Sequence, residues 1–304
     1  LQCSVLVQPV DGHAQVVPER CIGDAECVRI CPQQAKVVRE DLPLVERWLA
    51  REERVVVSLA PSFAGLDWDF DKISAALLAR GVLAVEETAE GAALVARAHH
   101  KLEEGAWLTS ACPAVVKLVE IYFPHLLQYM APIVSPMIAH GRLLKKKFPG
   151  AKVVFAGPCV AKKSEMMEAD LAGAVDAVLT FEELRLWLEG QDLTWENSAK
   201  SQETAQWGEQ AARAFPLDGG QLATIGQVEF QDGLAISGME ECLDFLEHFE
   251  PGDAPRFTEL LACRGGCIAG PMSTVDSLWK AKKRLQRYAQ KPLAIAAENV
   301  YLTR

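Results

Sequence analysis

The grouping of its cysteines constrains this chain more than any other feature. There are nine in 304 residues. Cys21, Cys27 and Cys31 crowd one segment, with Pro32 directly after the last, and Cys263 and Cys267 stand together far downstream. An odd count in tight clusters suits metal ligands in a reducing compartment better than a disulfide scaffold, so a cytoplasmic protein is expected. The net charge of −10 and a pI near 5.2 argue against a nucleic-acid partner. No apolar run is long enough to span a bilayer, and no basic-then-apolar segment opens the chain. The first residue is Leu1, not Met, so an upstream piece is expected.

The length, with 50% hydrophobic residues, suits a large domain plus a small one, or two lobes. Residues 1–45 read as a small cysteine-rich module and 46–304 as the main domain. In the module, two short β-like runs, Val5–Gln8 and Ala14–Val17, flank Asp11-Gly12, a hairpin signal. Leu42–Glu53 reads as a connecting helix. Strands are then expected at Arg54–Ala60, Ala106–Ser110, Lys152–Gly157, Ala177–Thr180 and Phe257–Cys263. Helices are expected at Asp71–Arg80, Val115–Tyr122 and Val275–Ala289, with capping boxes at Thr180/Glu183 and Ser237/Glu240. Gln191–Gln221 is polar and reads as an insertion loop. Strand–helix alternation implies an α/β fold with mostly parallel sheets. Cys112, Cys159 and Cys263 each fall at or after a strand's carboxyl end, where such sheets place their sites.

The run from Cys21 through Asp24, Cys27 and Cys31 to Pro32 resembles the bacterial ferredoxin pattern C-x2-C-x2-C-x3-C-P, with the second cysteine replaced by Asp24. Cys3 stands eighteen residues before Cys21, about where the last cysteine of a preceding half-motif would sit. The resemblance implies a small α+β ferredoxin-like module with one accessory cluster on Cys3, Cys21 and Cys27. Asp24 is then the fourth ligand of a [4Fe–4S] cluster, or the cluster is [3Fe–4S]. Cys31 is either left over or a substitute local ligand. A zinc knuckle of Cys21, Asp24, Cys27 and Cys31 and a site without metal stay open beside this reading.

Three downstream segments carry a second resemblance. They are Thr109–Pro113 around Cys112, Gly157–Glu165 around Cys159, and Ala262–Gly270 with Cys263 and Cys267. In this order they resemble the three signatures of the [FeFe]-hydrogenase catalytic domain. The resemblance implies a two-lobed domain holding an H-cluster, a [4Fe–4S] cubane joined to a two-iron subsite with CO, cyanide and a bridging dithiolate. It assigns Cys112, Cys159, Cys263 and Cys267 to the cubane, with Cys267 bridging to the two irons. Lys162 matches the lysine that hydrogen-bonds one cyanide, a cation aimed at a buried anion. Pro61-Ser62 resembles the turn around the other cyanide, Ser135-Pro136 a nearby supporting pair, and Pro158 the residue before the second ligand. The bland alternatives are a solvated Lys162-Lys163 pair and a plain strand-to-loop turn at Pro61-Ser62.

The chain also departs from that family. A proton-relaying cysteine is expected where Ala111 stands, and a relay serine where Ala131 stands. Family methionines are replaced by Gly157 and Leu261. Glu87 and Glu90 match the outer relay carboxylates and are expected on one helical face, or else as an ordinary exposed acidic helix. Glu240 or Glu241 is an alternative proton exit. This pattern resembles the sensory, group D hydrogenases, which implies slow, H2-responsive chemistry. The implied partners are H2 and protons, a redox or signalling protein, maturation proteins and a homodimer mate. Similar domains occur in iron–sulfur assembly proteins of the Narf type, which carry only cubanes. Cys242 reads as a structural thiol, His99-His100 as a surface pair, and the Trp and Met residues as core.

Overall fold

The computed structural model describes residues 7–10, 13–194, 208–226, 233–293, 295 and 300–304. Cys3, the Asp11-Gly12 turn and residues 195–207 of the polar stretch lie outside the described residues.

Val55–Leu59 (β3) is a β-branched run buried along its whole length, as a central parallel strand requires. It pairs in parallel with Ala84–Glu87 (β4) on one side and Lys152–Gly157 (β6) on the other. Ala177–Thr180 (β7) completes a four-stranded sheet of order β4-β3-β6-β7. A second parallel sheet has the order β5-β9-β8, from Trp107–Leu108 (β5), Phe257–Leu261 (β9) and Gly233–Ser237 (β8). The two sheets are the two expected lobes. An antiparallel pair, Val7–Val10 (β1) and His13–Val16 (β2), is the amino-terminal hairpin.

The helices fall close to their expected places. They include Leu42–Ala50 (α2), Phe70–Ala79 (α3), Pro113–Tyr122 (α5) and the late helix Leu278–Ala289, with Glu26–Arg29 (α1) and Ala89–His99 (α4) taking their places in chain order. Helix α2 buries Val45 and Trp48 in the main core. The Thr180/Glu183 capping box forms in full. The one expected at Ser237/Glu240 does not: the Ser237 hydroxyl accepts from the Gly265 N–H, and Gly238 holds the N-cap position of Met239–Glu247. Within and at the end of the stretch expected as an insertion loop, Gly208–Ala214 and Gly220–Ile225 form helical turns with buried side chains. His99 is buried, not superficial. Its Nδ1 lies 2.8 Å from the Val95 carbonyl, and burial pulls its pKa down to about 4. Trp48 and Trp187 are core, whereas Trp279 and Met167 are exposed. Among the described residues no helix is long and apolar enough to cross a membrane.

Candidate metal centre

The carboxyl ends of both sheets lead to four of the five downstream cysteines, all but Cys242. Cys112 is the N-cap of α5, after β5. Cys263 stands two residues after β9, and Cys159 two residues after β6 in the other sheet. Cys267 opens the turn Cys267–Ala269. Cys112, Cys159 and Cys263 line one cavity of about 980 Å³.

The electrostatics place Cys267 in the same neighbourhood. Burial pushes the Cys159 thiol up to about 11, with the Cys112 charge adding to it and Lys162 opposing. Burial raises Cys263 far above its ordinary value, helped by Cys159, Cys267 and Cys112. Burial likewise raises Cys267, with Cys112 and Cys159 as the next causes. Thiols crowded in this way cannot all ionise unless a cationic centre shares them. Thiolate-bound iron relieves that conflict, and soft sulfur is the ligand iron–sulfur clusters select. The donor set therefore fits a cubane.

Backbone shape supports the same site. Gly266 has φ +93°, and its missing Cβ would collide with the Pro216 carbonyl and the Asp218 N–H of the adjoining loop. Leu217 pairs with Gly266 there as an isolated antiparallel bridge. Gly266→Ala is expected to cost about 2–5 kcal/mol, from the left-handed backbone and the forced repacking, and to lower iron retention. Thermal melting with iron analysis checks this; an unchanged melting midpoint would contradict it.

Lys162 is buried in Ala161–Glu165 (α7). Its Nζ donates to the Ala111 carbonyl at 3.1 Å and to Glu165 Oε2 at 2.7 Å. It is not a solvated surface lysine. Lys163 points elsewhere, into a buried network with Asp41, Glu183 and the Val178 carbonyl. Pro61 and Ser62 open a buried 3-10 turn, Pro61–Leu66, that packs on the Cys267–Ala269 turn. Ser135 is the N-cap and Pro136 the first residue of Pro136–Lys147 (α6). The hydroxyls of Ser62 and Ser135 are fully buried and find no hydrogen-bond partner among the described residues. The Pro158 carbonyl accepts from the Met272 N–H and lies close over Gly270.

Ala111 packs in an apolar cluster with Ala89, Ala92, Ala93 and Phe215, and Ala131 lies in the main core. A side chain at Gly157 would meet the Phe155 ring at 2.7 Å, so that ring takes up the space. Glu87 and Glu90 do not share a helical face. Glu87 ends β4, and α4 begins at Ala89. The Glu87 carboxylate is buried in a bidentate pair with Arg213, whose guanidinium also donates to the Lys291 and Pro292 carbonyls and lies over the Tyr288 ring. Glu90 pairs instead with Lys147. Arg213 is hidden in the sequence by the polar stretch around it; an arginine flanked by small apolar residues, Ala211-Ala212-Arg213-Ala214, is the available signal.

A further buried acid, Glu259 in β9, has no sequence signature at all. Its carboxylate accepts from the N–H groups of Gly219, Gln221 and Leu222. Burial nevertheless pushes it up to about 8. Cys242, also buried, bonds the Leu261 carbonyl through its thiol.

In the amino-terminal module Cys21, Asp24 and Cys27 line a smaller cavity of about 240 Å³. Asp24 also lines the large cavity beside Cys112 and Cys263, so it stands between the two. Burial raises its pKa against a bond from the Glu26 N–H. Cys31 is not brought to either wall. Its Sγ accepts from the Ala35 N–H at 3.4 Å, a turn contact that, with its neighbours, holds the thiol below its ordinary value. The short helix α1 ends between Cys27 and Cys31 and turns the latter away.

The two parallel sheets bring Cys112, Cys159 and Cys263 to one cavity, with Cys267 beside them, in an α/β domain. The family described as iron only hydrogenase large subunit, C-terminal domain, matches residues 53–271, and the chain belongs to it. Among curated relatives, the NADP-reducing hydrogenase subunit HndD of Solidesulfovibrio fructosivorans is 26% identical, over 93% of this chain and 62% of its own length. The cytosolic Fe-S cluster assembly factor NAR1 of Encephalitozoon cuniculi is 25% identical, over 54% of this chain and 51% of its own. The chain thus spans less than two thirds of the length of these relatives. Among solved structures, a variant of the [FeFe]-hydrogenase HydA1 from Chlamydomonas reinhardtii superposes with a TM-score of 0.58 at 18% identity, covering 83% of this chain and 89% of that one. The fold is that of the H-cluster domain.

Proposed function

We propose that this protein is a hydrogenase-type redox protein, slow and suited to sensing H2, whose reaction is H2 ⇌ 2H+ + 2e−. The H-cluster supplies, when bound, the site of H2 cleavage and an electron store. In this reading Cys112, Cys159, Cys263 and Cys267 would hold the cubane, and Cys267 would also join it to the two-iron subsite. Lys162 offers its ammonium to a cyanide, and the unpartnered hydroxyls of Ser62 and Ser135 are available donors beside Pro61, Pro136 and Pro158. The observation that carries the reading is the buried Lys162 ammonium, tied to the carbonyl of the residue before one cluster cysteine and three residues after another.

Cys21, Cys27 and Asp24, with Cys3, hold the accessory cluster, [4Fe–4S] or [3Fe–4S], that passes electrons to a redox or signalling partner. Asp24, shared by both cavities, marks the route between clusters. Protons meet an obstacle at Ala111, whose methyl group carries no exchangeable proton and packs among Ala89, Ala92, Ala93 and Phe215. Glu87 is committed to Arg213 and Glu90 to Lys147, which suits neither for rapid relay. Glu240 and Glu241 line the large cavity and offer an alternative exit. The reading extends to maturation proteins that load the two-iron subsite and to a cytoplasmic setting.

A second reading is favoured by the NAR1 similarity: an assembly or redox-interaction protein carrying only cubanes. Dye-linked H2 oxidation by the matured protein separates the two. Under the first reading the wild-type chain reduces dye slowly, and Ala111→Cys shifts its pH–rate profile and raises turnover by up to about 10²-fold, the scale of one added proton relay. No H2-dependent dye reduction, or a profile identical in the variant, would count against it.

A further inference from the structure

Away from the cysteine centre, two carboxylates and one imidazole meet on three rigid elements. Glu86 lies in β4, Glu90 in the first turn of α4 and His140 in α6. One ligand atom from each lies within 4.8 Å of the others. The helices approach closely enough because Gly91 lacks a Cβ, which would strike His140 at 2.7 Å.

The histidine is what distinguishes this group from an ordinary acidic patch. His140 is fully buried. Its Nδ1 is 2.8 Å from the Ser58 hydroxyl, which is in turn 2.7 Å from Thr88 Oγ1. Its Nε2 has no hydrogen-bond partner among the described residues and faces Glu86 Oε2 at 3.7 Å. An imidazole anchored through one nitrogen, with the other free and directed at carboxylates, is how metal-ligating histidines are held. A cation with ligands about 2.1 Å away keeps them within about 4 Å of one another, so a small rotation of two carboxylates closes the site. Lys147 Nζ now bridges the same carboxylates, 2.7 Å from Glu86 and 3.2 Å from Glu90. Lys147 comes from the last turn of α6 on a flexible stem that can swing to solvent.

We propose that Glu86, Glu90 and His140 form a binding site for a divalent transition-metal cation, with the Lys147 ammonium standing in when the cation is absent. One nitrogen and two carboxylates suit manganese, iron(II) or zinc. The site is independent of the thiol centre.

Mn2+ is the probe of choice, because it favours oxygen and nitrogen and does not compete for thiolates. It is titrated into the cluster-loaded protein and followed by electron paramagnetic resonance. The expected result is one bound Mn2+ per chain, with a nitrogen coupling from a single imidazole. Lys147→Ala should tighten binding roughly tenfold, the effect of removing one nearby like charge at a part-exposed site. His140→Gln should abolish the nitrogen coupling. Lys147 is part-exposed, so its variant keeps the test decisive if the buried histidine cannot be replaced without unfolding. No binding up to about millimolar Mn2+, bound Mn2+ without nitrogen coupling, or an affinity unmoved by Lys147→Ala would each overturn the proposal.

Discussion

Matured Lys162→Met protein is expected to lack the infrared bands of metal-bound CO and cyanide while keeping its cubane iron. The ammonium is bonded at the Ala111 carbonyl, beside Cys112, and its substitute has no donor. The side chain's other partner complicates the single variant. Glu165 is fully buried, and its second oxygen has no hydrogen-bond partner among the described residues. Removing only the lysine leaves a buried carboxylate uncompensated, at about 3–5 kcal/mol. The Lys162→Met/Glu165→Gln pair removes that penalty. It should melt nearer the wild type than the single variant and still show no CO or cyanide bands. Full-intensity bands in the double variant would show that Lys162 does not hold the two-iron subsite.

Cys267→Ser is expected to lose about four irons per chain, the whole [4Fe–4S] cubane, and with it any two-iron subsite. Cys242→Ser is its control. Cys242 is buried and Cys267 half-buried, and loss of solvent raises both, Cys242 to about 12. They differ in their surroundings. Both feel Cys112, but Cys267 also feels Cys159, whereas Cys242 sits inside the helix Met239–Glu247 and bonds the Leu261 carbonyl. Iron and sulfide analysis of anaerobically reconstituted protein should give normal content for Cys242→Ser. Equal losses in the two variants would contradict the separation of ligand from structural thiol.

Much of this is legible in the residues, for identifiable reasons. Lys152–Gly157 and Ala177–Thr180 appear as strands at the expected bounds because buried parallel strands read as unbroken apolar runs. Strand ends then locate Cys112, Cys159 and Cys263. What is not legible depends on partners distant in sequence. Glu87 and Glu90 suggest one helical face by spacing, yet a strand ends between them, and Arg213, 126 positions from Glu87, decides the fate of the first. Ser237 has the spacing of a cap but spends its hydroxyl on Gly265. Cys31 belongs to a ferredoxin pattern by spacing, but the local turn carries it away from the cavity that Cys21 and Cys27 line.

The central claim is that four convergent cysteines and Lys162 hold an H-cluster, not a cubane alone. The infrared spectrum of the wild-type protein, made with its maturation proteins and kept anaerobic, tests this most directly. The account predicts bands of iron-bound cyanide and CO that change when the sample is exposed to H2. A fully iron-loaded protein with no such bands would contradict it.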